Sequence, residues 1–210
     1  MTPLMSIVGR SNSGKTRLVT RLIAELKSRG YRVASIKHAQ EVHFEPGKDS
    51  QQHLQAGSEV TSVVTPEQVV TIRTASSADT PEKIARAMGD DYDIILVEGF
   101  KQSSLPKIEV YRSQSGTLLE GLKRLIAIVT DEPVETNARV FSPDDIKVIA
   151  DLIEGGFIKP QQNRLSVFVN GEQIPLTLFP RQIITSLLLS AVSSLKEVKK
   201  IKKLDIFLRQ

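Results

Sequence analysis

The sequence predicts an α/β fold of the P-loop NTPase class, in which a mostly parallel sheet is flanked by helices, followed by a small α+β module of ββαβ order. The first observation is the stretch "VGRSNSGKT", residues 8–16, which contains the pattern G-x-x-x-x-G-K-[ST]. An apolar run, residues 4–8, precedes it, and residues 15–30 follow with leucine and isoleucine at helical spacing. A second β-rich run, residues 31–37, completes a strand–helix–strand unit. Such a unit implies parallel strands joined by a right-handed crossover.

The segments after this unit are assigned from turn and cap residues. The first helix is predicted to end at Gly30, because glycine suits the position after a helix. Residues 38–52 are polar and interrupted by Pro46-Gly47, which predicts a loop. Residues 59–73 hold two β-rich runs around Thr65-Pro66-Glu67, which predicts a hairpin.

The chain then alternates between helices and strands again. Thr80 as N-cap and Pro81 at the first helical position predict a helix that extends to residue 88. Residues 142–156 begin with a serine, carry early acids and end in glycine, which predicts another helix. Strands are predicted over the apolar runs 94–97, 107–112 and 125–131.

The C-terminal part is predicted to be a separate module. Residues 157–163 are the candidate linker, which divides the chain into domains 1–158 and 164–210. Apolar residues alternate on both sides of Asn170-Gly171, which predicts a hairpin. A helix that opens with Pro180 and a last strand over 204–209 complete the ββαβ order.

The amino-acid composition limits the functions that the protein can have. The chain has 210 residues, of which 40% are hydrophobic and 25% charged, as in ordinary globular proteins. The absence of cysteine excludes disulfides and thiolate metal sites, and suits a cytoplasmic protein. No apolar run reaches about 18 residues, so we expect neither a membrane span nor a membrane partner. The net charge of +4 favours phosphate-bearing ligands only weakly, and we interpret the basic run 196–203 as a solvated face rather than a nucleic-acid contact.

The glycine-rich loop is predicted to bind the phosphates of a nucleotide. The backbone N–H groups of residues 12–16 would surround a phosphate, since glycine permits the required dihedrals, and the following helix would direct its N-terminus at the anion. Lys15 would reach the outer phosphates, and the hydroxyl of Thr16 would bind Mg²⁺. The candidate binding residues in this region are Gly9, Asn12, Ser13, Gly14, Lys15, Thr16 and Arg17.

Two acids are candidates for the magnesium site beside Thr16. Glu98 follows the most apolar strand candidate, and parallel sheets bind ligands at the carboxyl ends of their strands. Asp49 lies in the string "GKDS" and would act through the water shell of the metal. The alternatives are an acid that merely ends a strand for Glu98 and a solvated loop carboxylate for Asp49.

The three histidines, His38, His43 and His53, all lie within one short region. They are interpreted as ligand contacts, as metal ligands together with Asp49 or Glu45, or as ordinary surface histidines. Metal binding needs three or four well-aimed donors, and their spacing is irregular.

Selection of guanine would need an acidic side chain that accepts hydrogen bonds from the base. The string "NKxD" does not occur, but Thr130-Asp131 follows a predicted strand and is a candidate for a shortened version. The alternative is an aspartate that only terminates the strand. Asp131 is therefore a hypothesis for the base contact.

Four stretches in the same order, "VGRSNSGKTRLVTRLIAELKSRGYRVASIKH", "PGKDSQQHLQAGS", "DIILVEGFKQSSLPKIEV" and "IVTD", resemble the MobB family. These are the GTP-binding proteins of molybdopterin-guanine dinucleotide biosynthesis. The resemblance extends over residues 3–155, and the residues beyond 160 are an addition. The run between His38 and Asp49 is about two residues shorter than is usual in the family.

The resemblance implies a dimeric P-loop protein whose β-hairpin contributes to the dimer. It implies GTP and Mg²⁺ as cofactors, at most a weak Mg²⁺-dependent GTPase activity, and assistance to the nucleotidyltransferase that joins GMP to molybdopterin. The residues that match family motifs are Gly14, Lys15 and Thr16 in the loop, Asp49 and Ser50 in "GKDS", Glu98, Gly99 and Lys101 in "EGFK", and Lys107 in "PKIEV".

The alternative functions are a P-loop small-molecule kinase or another Mg²⁺-dependent NTPase, including one linked to nucleic acid. A kinase would need an aspartate base and an arginine-bearing lid. Arg73, Arg86 and Arg112 are present, but no lid-like segment is rich in arginine. The catalytic residues stay unassigned, because position selects none of the loop glutamines, Gln40, Gln51 and Gln52, as the residue that orients water.

Overall fold

The computed structural model describes residues 2–39, 48–76, 78–161, 165–170, 172–198, 200–201, 204 and 206. The chain divides into two compact units, one formed by residues 2–161 and one that contains residues 162–210. None of the helices among the described residues is both long and apolar enough to cross a membrane.

The larger unit is built on a six-stranded sheet. Its strands are β1 Leu4–Val8, β2 Val33–Lys37, β5 Ile94–Glu98, β6 Lys107–Val110, β7 Leu125–Val129 and β8 Arg139–Phe141. They lie in the order β2-β5-β1-β6-β7-β8, and all five neighbouring pairs are parallel, which confirms the predicted fold class. The short edge strand β8 was not predicted, because its three residues are mostly exposed and leave no apolar pattern.

The core of this unit lies between the sheet and two helices, α1 Lys15–Ser28 and α4 Ile146–Ile153. Every residue of the central strands β1 and β5 is buried, and each helix adds four buried side chains. Fully burying one such aliphatic side chain contributes about 1.5–3 kcal/mol. The two buried helix faces are Leu18, Val19, Leu22 and Leu26 on α1 and Ile146, Ile149, Ala150 and Ile153 on α4.

Two predicted helix boundaries are confirmed by their caps. Gly30 takes the left-handed backbone with φ of 88°, and its N–H donates to the carbonyl of Lys27 while that of Tyr31 donates to the carbonyl of Leu26. These bonds satisfy the last carbonyls of α1. Helix α3, Pro81–Ala87, begins after Thr80, whose hydroxyl accepts from the N–H of Lys83 at 3.3 Å.

The prediction of a loop over 38–52 is wrong at its C-terminal end, where helix α2 spans Lys48–Gln55. The helix is polar, with Asp49 in its first turn, and among its described side chains only Ser50 is buried. The segment therefore has no apolar periodicity, which is the signal from which helices are predicted. Residues 40–47, which include His43, Glu45 and Gln40, lie outside the described residues.

The helix predicted over 142–156 is shifted along the chain. Ser142 and Asp145 form a turn before it, in which the N–H of Ser142 donates to the carboxylate of Asp145 at 2.9 Å, and α4 begins only at Ile146. Helical turns then continue beyond the two glycines, as a π-helical turn at Glu154–Ile158 and a 3₁₀ turn at Lys159–Gln161. Ile158 is buried, so this part of the predicted linker belongs to the packed unit.

The hairpin predicted over 59–73 is confirmed. Strands β3 Val60–Val64 and β4 Val69–Arg73 pair antiparallel and form a two-stranded sheet of their own. The N–H of Thr65 donates to the carbonyl of Gln68 at 2.9 Å and closes the turn. Several valines of this hairpin face solvent.

The second unit contains a hairpin and a helix. Strands β9 Val167–Val169 and β10 Glu172–Ile174 pair antiparallel, as predicted, with Asn170 in the left-handed region at φ of 51°. Gly171 and most of the predicted strand over 204–209 lie outside the described residues. Helix α5 spans Leu178–Ser193 and so begins two residues before Pro180. Its large apolar side chains Leu178, Phe179 and Leu187 are 70%, 71% and 64% exposed.

Candidate nucleotide-binding site

The glycine-rich loop joins β1 to α1 in the backbone conformation that a phosphate cradle needs. Gly9, Asn12 and Gly14 all have positive φ, of 148°, 61° and 99°. A Cβ at Gly9 would overlap the carbonyl oxygen of Val110 and lie 2.7 Å from the hydroxyl of Ser13. Glycine is therefore required at position 9 by close approach as well as by dihedral angle.

Helix α1 directs its N-terminus at this loop. Gly14 precedes the first helical residue, and its carbonyl accepts from the N–H of Leu18 at 3.0 Å. The first turn of α1 carries no acidic side chain and no side-chain cap. Its free N–H groups and the positive end of the helix dipole thus suit an anion. Arg17, in the same turn, is exposed.

Lys15 lies over the loop. Its Nζ donates to the carbonyl of Arg10 at 2.7 Å, across the space that the loop encloses. Burial lowers the pKa of Lys15, the Glu98 carboxylate raises it, and the charge of Lys37 lowers it. A phosphate is a stronger acceptor for an ammonium group than a neutral carbonyl, so Lys15 is arranged to exchange one for the other.

Thr16 and Glu98 contact each other beside the loop, where the sequence predicts a metal site. The hydroxyl of Thr16 donates to the two carboxylate oxygens of Glu98 at 2.9 and 3.1 Å. Glu98 ends β5, is 9% exposed, and lies 3.8 Å from the Nζ of Lys37. One carboxylate and one hydroxyl beside a phosphate site are the oxygen ligands that Mg²⁺ accepts, so these residues fit the metal.

Three other metal candidates lie in the described part of the chain, and the backbone of His38 contacts this pair, since its N–H donates to the carbonyl of Glu98 at 2.9 Å. Asp49 is exposed in the first turn of α2, and the structure records no contact between its side chain and Thr16 or Glu98. His38 is exposed, and its ring centroid lies 4.7 Å from that of Phe100, while His53 is exposed on α2. Within the part of the chain that the structure describes, no cluster of three or more His, Asp or Glu side chains could hold a metal ion.

Asp131 follows β7 and meets a second loop. Its Oδ1 accepts from the hydroxyl of Ser142 at 2.9 Å, and Ser142 follows β8. The preceding Thr130 is buried and donates its N–H to the carbonyl of Phe141. The exposed carboxylate of Asp131 is thus held by Ser142 at the carboxyl edge of the sheet. Lys101 is exposed in the turn after β5, and no described contact joins it to this edge.

Lys107 has a structural role rather than a place in the nucleotide site. It is fully buried, and its Nζ donates to the carbonyls of Ser103, Leu105 and Lys123 at 2.5, 2.8 and 3.2 Å. Burial lowers the pKa of Lys107. The match to the "PKIEV" motif therefore marks a residue that holds the segment after Glu98 in place.

Sequence reasoning missed two side chains beside the loop. Glu109 on β6 is 2% exposed, accepts from the N–H of Leu119 at 2.7 Å, and has its pKa raised by burial. Arg112 follows β6 and lies against Gly14. Together with residues of α1 it lines a shallow cleft that opens beside the loop. Other residues of this lining are Ser13, Gly14, Arg17, Arg21 and Pro143. The only signal in the sequence was the predicted strand itself, which contains Glu109 and ends shortly before Arg112.

The parallel sheet, the phosphate loop between β1 and α1, and the Thr16–Glu98 pair define a P-loop NTPase-like protein. The family model for MobB, "Molybdopterin guanine dinucleotide synthesis protein B", matches residues 4–131. The chain therefore belongs to the MobB family, which confirms the resemblance found in the sequence.

Individual proteins agree with this assignment. The molybdopterin-guanine dinucleotide biosynthesis adapter protein of Haemophilus influenzae is 36% identical over 166 residues, which cover 72% of this chain and 88% of that protein. The adapter protein of the same name from Escherichia coli is 32% identical over 169 residues, which cover 73% and 92%. The crystal structure of a molybdopterin-guanine biosynthesis protein B (mobB) is similar with a TM-score of 0.59 and 30% identity, over 73% of this chain and 98% of that one.

Proposed function

We propose that this protein is a GTP-binding adapter of molybdopterin-guanine dinucleotide biosynthesis, with Mg²⁺ as the metal. The observation that carries the proposal is the phosphate loop with its Thr16–Glu98 pair in a chain of the MobB family. Family membership favours this function over the small-molecule kinase. The two curated relatives are both named as adapter proteins of this biosynthesis.

The phosphates of GTP bind in the loop of residues 9–16. The N–H groups at the start of α1 surround them, and Lys15 leaves the carbonyl of Arg10 to contact the outer phosphates. Thr16 and Glu98 hold the Mg²⁺ that neutralises the same oxygens. Asp49 contributes at most through water, since it is exposed on α2.

The guanine base is selected by Asp131. A carboxylate accepts two hydrogen bonds from the N1–H and the 2-amino group of guanine, and adenine offers no such pair. The support is the position of Asp131 at the carboxyl edge of the sheet, where the hydroxyl of Ser142 orients it.

Hydrolysis is at most slow. Rapid P-loop hydrolysis needs a residue that orients water, and no described side chain close to Thr16 and Glu98 has that role. Gln51 and Gln52 lie exposed on α2. The bound nucleotide then acts in the adapter role, in which the protein assists the nucleotidyltransferase that joins GMP to molybdopterin.

The protein assembles as a homodimer in the cytoplasm through the β3–β4 hairpin. Val60, Val64 and Val69 of this hairpin are 49%, 71% and 65% exposed. Apolar strands in a two-stranded sheet favour association, because single hairpins are marginally stable alone. Residues 164–210 form an interaction module whose exposed leucines on α5 suit a protein partner.

Calorimetric titration of the purified protein with GTP and with ATP, with and without Mg²⁺, tests the proposal. We expect tighter binding of GTP, a gain in affinity on addition of Mg²⁺, and loss of the preference for GTP in Asp131→Asn. Equal affinities for GTP and ATP in the wild-type protein would contradict the guanine assignment. Tighter binding of ATP than of GTP would favour another NTPase.

A further inference from the structure

Arg112 lies flat against the phosphate loop. It follows β6 by two residues and is half-buried. Its Nη2, Cζ and Nε atoms lie 3.7, 3.8 and 3.9 Å from the point where a Cβ of Gly14 would sit. Because the three distances are nearly equal, the face of the guanidinium covers the glycine. The cation therefore lies close against the phosphate loop, next to the N-terminus of α1.

Among the residues that the structure describes, the guanidinium of Arg112 has no anionic partner. Among the described residues, no hydrogen bond or ion pair involves its side chain, whereas Arg10 contacts Thr117, Arg21 contacts Asp144 and Arg29 contacts three acids. A half-buried cation without a counter-charge is unfavourable unless an anion binds to it.

A second unsatisfied group lies in the wall of the same cleft. Ser13 is 1% exposed, and its Oγ has no hydrogen-bond partner among the described residues. Arg17 and Arg21 also line this cleft, beside the apolar residues Leu18, Val110 and Val129, and Arg21 is already paired with Asp144. The Oγ of Ser13 is itself enclosed beside Gly9, so the anionic ligand is indicated by the unpaired guanidinium of Arg112 next to the loop.

The order of the sheet places Arg112 between the two ends of the proposed nucleotide. Glu98 ends β5 on one side of β1, while β6 lies on the other side and is followed by β7, after which Asp131 comes. If the metal-bound outer phosphates lie on the β5 side and the base on the β7 side, then the inner phosphate passes the end of β6.

We propose that Arg112 binds the α-phosphate of the nucleotide, with its guanidinium stacked on Gly14. This inference rests on the proposed function, because it assumes that a guanine nucleotide occupies the loop. The chemical class of the ligand is a nucleoside di- or triphosphate, since both carry the α-phosphate. Arg112 thus supplies a contact that is independent of the γ-phosphate and of Mg²⁺.

The test compares Arg112→Ala, Arg112→Gln and Arg112→Lys with Arg139→Ala, an exposed arginine on β8 that controls for the loss of one positive charge. Calorimetry with GTP and with GDP gives the affinities, and circular dichroism reports the fold. We expect Arg112→Ala and Arg112→Gln to weaken GTP and GDP by a similar factor of about ten or more, and Arg112→Lys to weaken them less. Arg139→Ala should leave both affinities within about twofold of wild type.

Three outcomes would overturn the inference. Affinities in Arg112→Gln that match those of Arg139→Ala would show that Arg112 does not bind the nucleotide. Weaker GTP binding with unchanged GDP binding would assign Arg112 to the γ-phosphate instead. Wild-type protein that binds neither nucleotide would remove the proposed function itself, which distinguishes that failure from the failure of Arg112 alone.

Discussion

At the scale of single residues, the loop at positions 9–16 depends on a few side chains with different duties. Gly9 and Gly14 allow the backbone path, Lys15 supplies a charge above the loop, and Thr16 contacts Glu98, the pair proposed to hold the metal. The contacts of Lys15 and Thr16 are to groups that a bound nucleotide and metal would replace or share. Substitutions here should therefore change affinity while the fold is kept.

Lys15→Ala is expected to weaken GTP binding by at least about tenfold, equivalent to about 1.4 kcal/mol. The reason is that the ammonium is the only strong charge that the loop itself directs at the outer phosphates. Calorimetry measures the effect, and Lys27→Ala, an exposed lysine in the last turn of α1, is the control. Unchanged affinity in a folded Lys15→Ala protein would refute the assignment.

Glu98→Gln is expected to reduce the gain in GTP affinity that Mg²⁺ provides. The amide keeps the size of the side chain and a hydrogen bond to Thr16, but it removes the charge that a divalent cation needs. Titration of GTP at several Mg²⁺ concentrations measures the gain. Glu120→Gln, an exposed acid in the same unit, should behave as wild type. If the metal dependence of Glu98→Gln is also unchanged, Glu98 does not hold the metal.

At the scale of elements, an ion-pair network joins α1 to the π-helical turn after α4. Arg29 pairs with Glu25, Asp151 and Glu154, and Lys159 pairs with Glu154. The network fastens the end of the helix that starts at the phosphate loop to the last packed residues of the larger unit. It also explains why helical turns continue past Gly155 and Gly156, since Glu154 and Ile158 hold that segment to the unit.

The network predicts a dependence of stability on pH. Hydrogen bonds from Lys159, Arg29 and Tyr31 lower the pKa of Glu154 from its ordinary value of 4.5 to about 2. A carboxyl group whose pKa is depressed by folding stabilises the protein above its unfolded pKa, and this stability is lost as the pH falls through the folded value. We expect the urea midpoint of the wild type to fall between pH 4.5 and pH 2 more than that of Glu154→Gln.

The control for this prediction is Glu135→Gln, because Glu135 is exposed and no ion pair involves it among the described residues. Its acid dependence should match that of the wild type. A Glu154→Gln protein with the wild-type dependence would show that the network adds no pH-linked stability.

At the scale of the whole molecule, two surfaces are predicted to act in assembly, the β3–β4 hairpin and the unit that contains residues 162–210. Both expose large apolar side chains that the described residues do not cover, such as Val64 and Phe179, which are each 71% exposed. Neither carries the phosphate loop or the residues proposed for the base. Assembly and nucleotide binding are therefore expected to separate by mutation.

If the protein forms the proposed dimer, Val64→Asp is expected to convert it into a monomer, because a carboxylate at a strand interface loses its hydration without a partner. Light scattering at micromolar concentration measures the mass. Val148→Asp on α4, where the valine is 49% exposed, provides a matched control outside the hairpin. A wild-type protein that is already monomeric would contradict the proposed interface.

A chain truncated after Gln161 is expected to bind GTP with nearly the affinity of the full chain. The compact unit of residues 2–161 contains the loop, the Thr16–Glu98 pair and Asp131. Calorimetry and light scattering compare the two proteins. A truncated chain that folds but no longer binds GTP would place part of the site beyond residue 161.

The sequence by itself determined the fold class and the main parts of the candidate site, because these depend on local patterns. The loop pattern, the apolar runs of β1 and β5, and the caps at Gly30 and Thr80 are each readable from a few neighbouring residues. The position of Glu98 at the end of β5 was predicted because it ends such a run, and its role at a metal stays a prediction.

The tertiary structure alone decided which distant residues meet. It set Arg112 against Gly14, Ser142 beside Asp131, and Lys107 among buried carbonyls, because strand order makes neighbours of segments far apart in the chain. It also formed α2, a polar helix without an apolar period. Periodicity records which face of an element is buried, and it contains no record of which element lies opposite.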